Sequence, residues 1–381
     1  MTFIRSCVIL LMVMALSACG GPRAVLGLPV DATGAQPSAI VPIYVATTRA
    51  RSDNLSLPYS AERARTLNFA KFEIGIPRNH VRGRVEKTGR TPDPNRHFSA
   101  RTYQPIDDRQ QMIRQLNQAL AQRAPENREI FIFVHGYNNN FADSIFRNAQ
   151  ISYDYNIKAV SLHYAWPSGG ALPLYVFDRD SALVGRRGLA ETLEIAAQTN
   201  AKRIVLVGHS MGSYVVMEAL RDLAMTGHRD VLKRLGGVVL AAPDIDIDVF
   251  QSQVEDIGDI PRPFTIIVSQ RDRALGFSRF LAGGHPRVGS GSDVIMLQKK
   301  DIAVIDVSDI DGGRHSVFAS SETLMDVVNN DDLLRSLLRA DQPTQGQTLL
   351  ADGTSVIEGA ASLIIFLPLH ILGGMAQATS N

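Results

Sequence analysis

The stretch from Arg203 to Tyr214, R-I-V-L-V-G-H-S-M-G-S-Y, limits the fold of this chain more than any other. Four apolar residues, Ile204 to Val207, three of them β-branched, run straight into Gly208-His209-Ser210-Met211-Gly212. An apolar helical face then follows through Val215, Val216, Ala219, Leu220 and Leu223. A buried strand, G-x-S-x-G and an amphipathic helix in that order describe a sharp strand-to-helix turn with the serine at its tip. Such a turn holds the serine in a sparsely populated backbone region, so its neighbours must be small, as Gly208 and Gly212 are. Ser210 then points up from the sheet beside the first amides of a helix, where developing negative charge is stabilised. His209, next to the turn, leaves it in another direction and is expected to pack rather than to act as a base.

Composition narrows the possibilities by exclusion. The 381 residues are 45% hydrophobic and 20% charged with a net charge of +1, which supports a sizeable core and gives no footprint for nucleic acid. The two cysteines, Cys7 and Cys19, both lie near the amino terminus, so the body has no disulfide, thiol nucleophile or cysteine-based metal site. Phosphate-cradling, dinucleotide and H-E-x-x-H motifs are missing, and no cofactor or metal is expected.

The amino terminus reads as an export address. Arg5 precedes an apolar run from Cys7 to Leu16, too short to span a bilayer but suited to the core of a signal peptide. Leu16-Ser17-Ala18-Cys19 resembles a bacterial lipobox, which implies cleavage after residue 18 and a lipid on Cys19. Gly20 in place of aspartate leans toward the outer membrane, with the body facing the periplasm. Residues 19–40 are then expected to be a flexible tether, rich in Gly, Pro and Ala.

Order is expected over 41–340. Pro42–Thr47 and Phe72–Ile76 have strand character, and 78–107 is polar and proline-dotted, a surface loop with room for one more strand. Met112, Leu116 and Leu120 mark a helix face, as do Phe141, Ile145 and Ala149, and a further helix is expected over Ser181–Gln198. Apolar strands are expected at Glu129–Val134, Ala159–Tyr164, Gly237–Ala242, Phe264–Ser269 and Ile302–Val307 besides the one before Ser210. Asp246 and Asp248 suit a helix start, and helical patterns at 324–328 and 333–338 close the body. Eight strands alternating with helices predict an α/β protein, a mostly parallel sheet covered on both faces. Only Pro243 to Pro263 separate the sixth and seventh strands, too little for a large cap. In the tail, 341–381, the apolar Leu363–Leu367 is broken by Pro368 and is expected to pack on the body.

Three segments carry a family resemblance: Phe131-Ile132-Phe133-Val134-His135-Gly136-Tyr137-Asn138-Asn139, Trp166-Pro167-Ser168-Gly169 and Gly208–Gly212. Together they resemble the α/β-hydrolase superfamily, in its bacterial esterase/lipase-like branch of unknown function. The resemblance implies a serine hydrolase with triad order Ser, acid, His and an oxyanion hole made of two backbone amides. On this chain those become Ser210, Asp272 after the seventh strand, and His315 beyond the last strand, with Asp244 after the sixth strand as the alternative acid. The amides would be those of Met211 and Tyr137, with His135 fixing the loop and Asn138 and Asn139 as turn residues. His285 is a weaker base candidate, His228 and His163 read as surface and sheet residues, and His370 lies in the tail. The expected reaction is cleavage of a carboxylic ester, with thioester or amide open to the same machinery. The contrasting expectation is a non-catalytic envelope lipoprotein that uses the scaffold to bind a partner. A small ester or lipid-like substrate and a membrane anchor are the partners implied.

Overall fold

A computed structural model describes residues 23–28, 36–329, 347–349, 354–357 and 363–366. Its strands are β1 (Ala39–Arg51), β2 (Tyr59–Ile76), β3 (Ser99–Ile106), β4 (Glu129–Val134), β5 (Val160–Ala165), β6 (Arg203–His209), β7 (Leu235–Ala241), β8 (Phe264–Val268), β9 (Ala303–Asp306), β10 (Gln347–Leu349), β11 (Thr354–Ile357) and β12 (Leu363–Phe366). Its helices are α1 (Arg109–Ala121), α2 (Phe141–Asp154), α3 (Tyr175–Ala197), α4 (Met211–Met225), α5 (Arg229–Lys233), α6 (Ile247–Ile257), α7 (Arg273–Leu281), α8 (Val294–Lys299), α9 (Val317–Ser320) and α10 (Glu322–Asn329).

Among the described residues these strands join one sheet in the order β10-β11-β12-β9-β8-β7-β6-β4-β5-β1-β2-β3. The seven from β9 to β1 run parallel, and antiparallel strands extend both edges. β4 shows why helices cover both faces. Ile130, Ile132 and Val134 join the larger core with α1, α3 and α4, whereas Phe131 and Phe133 point the other way, toward Phe318 and Leu324. Each such buried side chain contributes about 1.5–3 kcal/mol, so the period of two commits the strand to this orientation. On the second face, α2 lays Phe141, Ile145, Phe146 and Ala149 against Ile43, Val45, Phe72 and Ile74 of β1 and β2.

The sheet corrects several expectations. Among the described residues it holds twelve strands where eight were expected. All eight are present, and β3 makes Ser210 follow the sixth strand of the chain rather than the fifth. α3 begins at Tyr175, six residues before the expected start, because the short turn Leu172–Leu174 with Pro173 launches it. The expected tether is docked over 23–28: Ala24 and Leu26 are fully buried, and Leu26 exchanges backbone bonds with Ser56 and Ala100. β1 likewise starts at Ala39, inside that stretch. Past residue 340, β12 pairs antiparallel with β9, so the apolar tail run joins the body as expected. The signal segment 1–18, Cys19, the helical pattern at 333–338 and His370 lie outside the described residues. Among the described residues no helix is long and apolar enough to cross a membrane.

Candidate active site

Ser210 sits between the last residue of β6 and the first of α4 with φ 54° and ψ −123°. A non-glycine residue held there stores about 1–3 kcal/mol of strain, and its surroundings hold it in place. The Ser210 amide donates to Ala241 O at 2.9 Å, and its carbonyl accepts from the Asp244 amide at 3.2 Å, which lace the turn to the end of β7. The flanking glycines are sterically required. A Cβ on Gly208 would stand 2.9 Å from Ser213 Cα, and one on Gly212 would stand 2.3 Å from His135 O.

The same packing brings the loop after β4 over the serine. A Cβ on Gly136 would meet Ser210 Cβ at 3.0 Å. His135 fixes this loop, as expected. Its ring stacks on Trp166 (centroids 5.0 Å apart, planes at 9°), with Nδ1 2.9 Å from Gly136 O and Nε2 3.1 Å from Trp166 O. Trp166 Nε1 donates back to His135 O at 2.6 Å. Burial, then Arg49 and His163, hold the His135 pKa well below its ordinary value, so the ring is neutral and donates through one nitrogen. Asn139 donates from Nδ2 to the Gly136 and Tyr137 carbonyls, and Asn138 adopts φ 61°, both as turn residues. The Tyr137 hydroxyl donates to the carbonyl of Leu172, and its amide lies on the loop covering Ser210.

Beyond β8 and β9, two further predicted residues meet. His315 Nδ1 lies 2.6 Å from Asp272 Oδ2. Asp272 is the buried cap of α7, its Oδ1 accepting the Ala274 and Leu275 amides, so the carboxylate cannot swing away without uncapping the helix. The His315 segment is fixed in turn by Ser269 Oγ, which donates to Gly313 O at 2.7 Å. His209 packs, as expected: its ring lies 4.8 Å from that of His315 and 4.6 Å from Phe318, and its Nε2 reaches His315 O at 3.2 Å. Burial, then His315, keep its pKa well below the ordinary value, so it is a neutral donor.

Asp244, the alternative acid, is engaged elsewhere. Tyr175 Oη and Ser278 Oγ donate to it at 3.0 and 2.5 Å, and Arg287 Nε stands 3.3 Å away. Asp246 caps α6 through the Asp248 and Val249 amides, in line with the sequence reading. His228 is exposed and His163 is buried in β5, where burial and then Arg49 lower its pKa to about 3.

Sequence reasoning missed the residues that brace the loop from behind. Asp178 accepts from Ser168 Oγ at 2.5 Å, the Gly169 amide at 2.6 Å and the Asn138 amide at 3.3 Å, which ties the loops after β4 and β5 together. Burial raises its pKa, opposed by these donors and by Arg49. Arg49, fully buried, donates to Asn139 O at 2.9 Å, and Arg23 donates to Asn138 O at 2.8 Å. An acid in the first turn of the helix after Trp166-Pro167-Ser168-Gly169 was the one available signal.

A parallel sheet with helices on both faces, a serine on a strained strand-to-helix turn and an aspartate–histidine pair past later strands define an alpha/beta hydrolase. Residues 108–334 match the family described as alpha/beta hydrolase of unknown function, DUF900. The chain belongs to that family, and it is a hydrolase. No curated protein sequence matches the chain. Among solved structures it is similar to esterase B from Lactobacillus rhamnosis (9% identity, 82% of this chain and 92% of that one, TM-score 0.31). It is also similar to the Saccharomyces cerevisiae peroxisomal alpha-beta-hydrolase Lpx1 (11%, 82% and 91%, TM-score 0.33) and to the pyrethroid hydrolase PytH (12%, 54% and 98%, TM-score 0.29). At such identities and scores the likeness extends to neither substrate nor mechanism.

Proposed function

We propose that the chain is a serine hydrolase cleaving a carboxylic ester through an acyl-enzyme on Ser210. The observation that carries this reading is the 2.6 Å Asp272–His315 contact, past the carboxyl ends of β8 and β9, with the strained Ser210 at the carboxyl end of the parallel β6. Ser210 Oγ attacks the carbonyl carbon and passes its proton to His315 Nε2, while Asp272 fixes the imidazole tautomer and stabilises the imidazolium. The oxyanion accepts from the Met211 and Tyr137 amides. Met211 opens α4, so its N–H has no acceptor within the helix. One such donor contributes roughly 10²–10³ in rate. His315 then protonates the departing alcohol, and water activated by the same histidine releases the acid.

A fluorophosphonate probe on the purified chain tests the reading. Labelling of the wild type and none of Ser210→Ala is expected. A folded wild type that stays unlabelled would instead favour a non-catalytic binding scaffold. A series of esters, thioesters and amides of increasing acyl length then separates the substrate classes.

We infer further that residues 1–18 are a lipoprotein signal and that Cys19 carries the lipid, with the body in the cell envelope, on the periplasmic face of the outer membrane. The support is the lipobox-like Leu16–Cys19. A Cys19→Ala chain that still fractionates with membranes would sink the anchor.

A further inference from the structure

Two elements that follow the carboxyl ends of the parallel strands expose large apolar side chains. On α7, Phe277, Phe280 and Leu281 are 51%, 77% and 47% exposed. They share one helix face by their i, i+3, i+4 spacing, opposite the buried Leu275 and Ser278. Leu172 and Leu174 in the turn before α3, and Val176 in its first turn, are also 39%, 40% and 73% exposed. The two elements are joined: Tyr175 Oη lies 2.8 Å from Ser278 Oγ, and both donate to Asp244. This apolar rim borders the candidate site on two sides. α7 is capped by the carboxylate that binds His315, and Leu172 accepts the hydroxyl of Tyr137.

Arg23, the first described residue, is held at the loop after β4. Arg23 donates to Asn138 O at 2.8 Å and to Asp143 Oδ2 at 3.4 Å, and the Ala24 amide donates to Asp143 Oδ1 at 3.3 Å. Arg23 is therefore pinned to the loop that carries Tyr137. Cys19 precedes Arg23 by four residues, whose fully extended span is at most about 14 Å. A lipid on Cys19 is thus tethered within about 14 Å of the Arg23 backbone, whose side chain reaches the loop that carries Tyr137.

We propose that the lipid bilayer holding the Cys19 anchor is the surface that covers this rim. The anchored chain seats Val176, Phe277 and Phe280 in the bilayer interface, with the opening to Ser210 facing the membrane. Apolar side chains over a polar body suit that depth, and the exposed Arg273 and Arg279 of α7 suit anionic headgroups. The inference rests on the lipoprotein reading and is independent of the chemistry at Ser210.

Cysteine usage makes the test clean, because the body holds no cysteine of its own. An environment-sensitive fluorophore is placed on Phe280→Cys, Val176→Cys or, as a control near the opposite ends of the parallel strands, Glu126→Cys. All three side chains are exposed, so none of these substitutions opens the core. The lipidated chains are reconstituted in phosphatidylethanolamine–phosphatidylglycerol vesicles containing nitroxide-labelled lipid. The expected result is a blue shift and strong quenching at 280 and 176, with neither at 126. Lipidated protein with equal quenching at 280 and 126 overturns the orientation while leaving the anchor standing. Mass spectrometry showing an unmodified Cys19 removes the anchor and the orientation with it. Protection of the 280 probe in a lipid-free dimer would assign the rim to a second copy and overturn the proposal.

Discussion

The Asp272 carboxylate holds His315 Nδ1 at 2.6 Å with one oxygen and caps α7 with the other. Orientation of the His315 ring and stability of the helix beside it thus depend on one side chain, and two substitutions separate them. Asp272→Asn keeps an acceptor for the cap but loses the charge that sets the tautomer, and turnover of an ester substrate is expected to fall by about 10⁴. Asp272→Ala loses both functions and should add about 1 kcal/mol of destabilisation, read from the urea midpoint. Asp244→Asn is the comparison, per mole of folded protein. If it abolishes turnover while Asp272→Asn spares it, the roles of the two acids are reversed.

Steric demand at the turn gives a second prediction. A methyl at Gly212 meets the His135 and Val134 carbonyl oxygens at 2.3 and 2.5 Å, which backbone cannot easily yield. Gly212→Ala should cost about 1–3 kcal/mol or more and reduce fluorophosphonate labelling. Gly276, inside α7, has nothing within 4 Å of the added carbon. Gly276→Ala should raise stability by about 0.5–1 kcal/mol and leave labelling intact. Equal effects from the two alanines would contradict the account of the turn.

The contrast between those glycines reflects what was legible in the sequence. Strands buried on both faces announce themselves as apolar runs, and each of the six from β4 to β9 lies where its run predicted. β3 did not, because S-A-R-T-Y-Q-P-I is an edge strand whose outer positions are free to be polar. The charged first half of β2, Tyr59 to Asn68, is strand only because β1 offers it a partner. At the site, Ser210 and its glycines were visible because strain restricts residue identity. The bracing by Asp178, Arg49 and Arg23 was not, since it joins residues 23 to 178 in contacts that no local pattern encodes.

Arg287 and Asp244 form a buried ion pair, 2% and 4% exposed. Removing one partner of such a pair leaves an uncompensated charge, and Arg287→Ala is expected to cost about 3–5 kcal/mol. Because Tyr175 and Ser278 still donate to Asp244, the loss should sit toward the lower end. Replacing both charges should cost less than the sum of the single changes, a coupling read from a double-mutant cycle of urea midpoints. Additive losses would mean that the pair contributes little.

His80 makes the fold sensitive to alkali. Its Nδ1 lies 2.9 Å from Glu86 Oε2 and its Nε2 2.9 Å from Asp154 Oδ1. Burial alone would lower its pKa, but hydrogen bonds and charge from Asp154 and Glu86 outweigh it and raise the value from 6.5 to about 9. Both carboxylates are correspondingly held below their usual range. The folded imidazole binds its proton more tightly than the unfolded one. Its stabilisation is therefore complete below about 6.5 and is lost as pH rises through about 9. Asp154 also accepts the Gly83 amide and Gln150 Nε2, and Gln150 donates to Ala319 O, four residues past His315. Loss of the proton thus loosens the 80–86 loop and the support behind α9 together. The urea midpoint of the wild type should fall between neutrality and about pH 10, and in His80→Gln it should start lower and fall less. An identical pH slope in the variant would assign the alkaline loss to other groups.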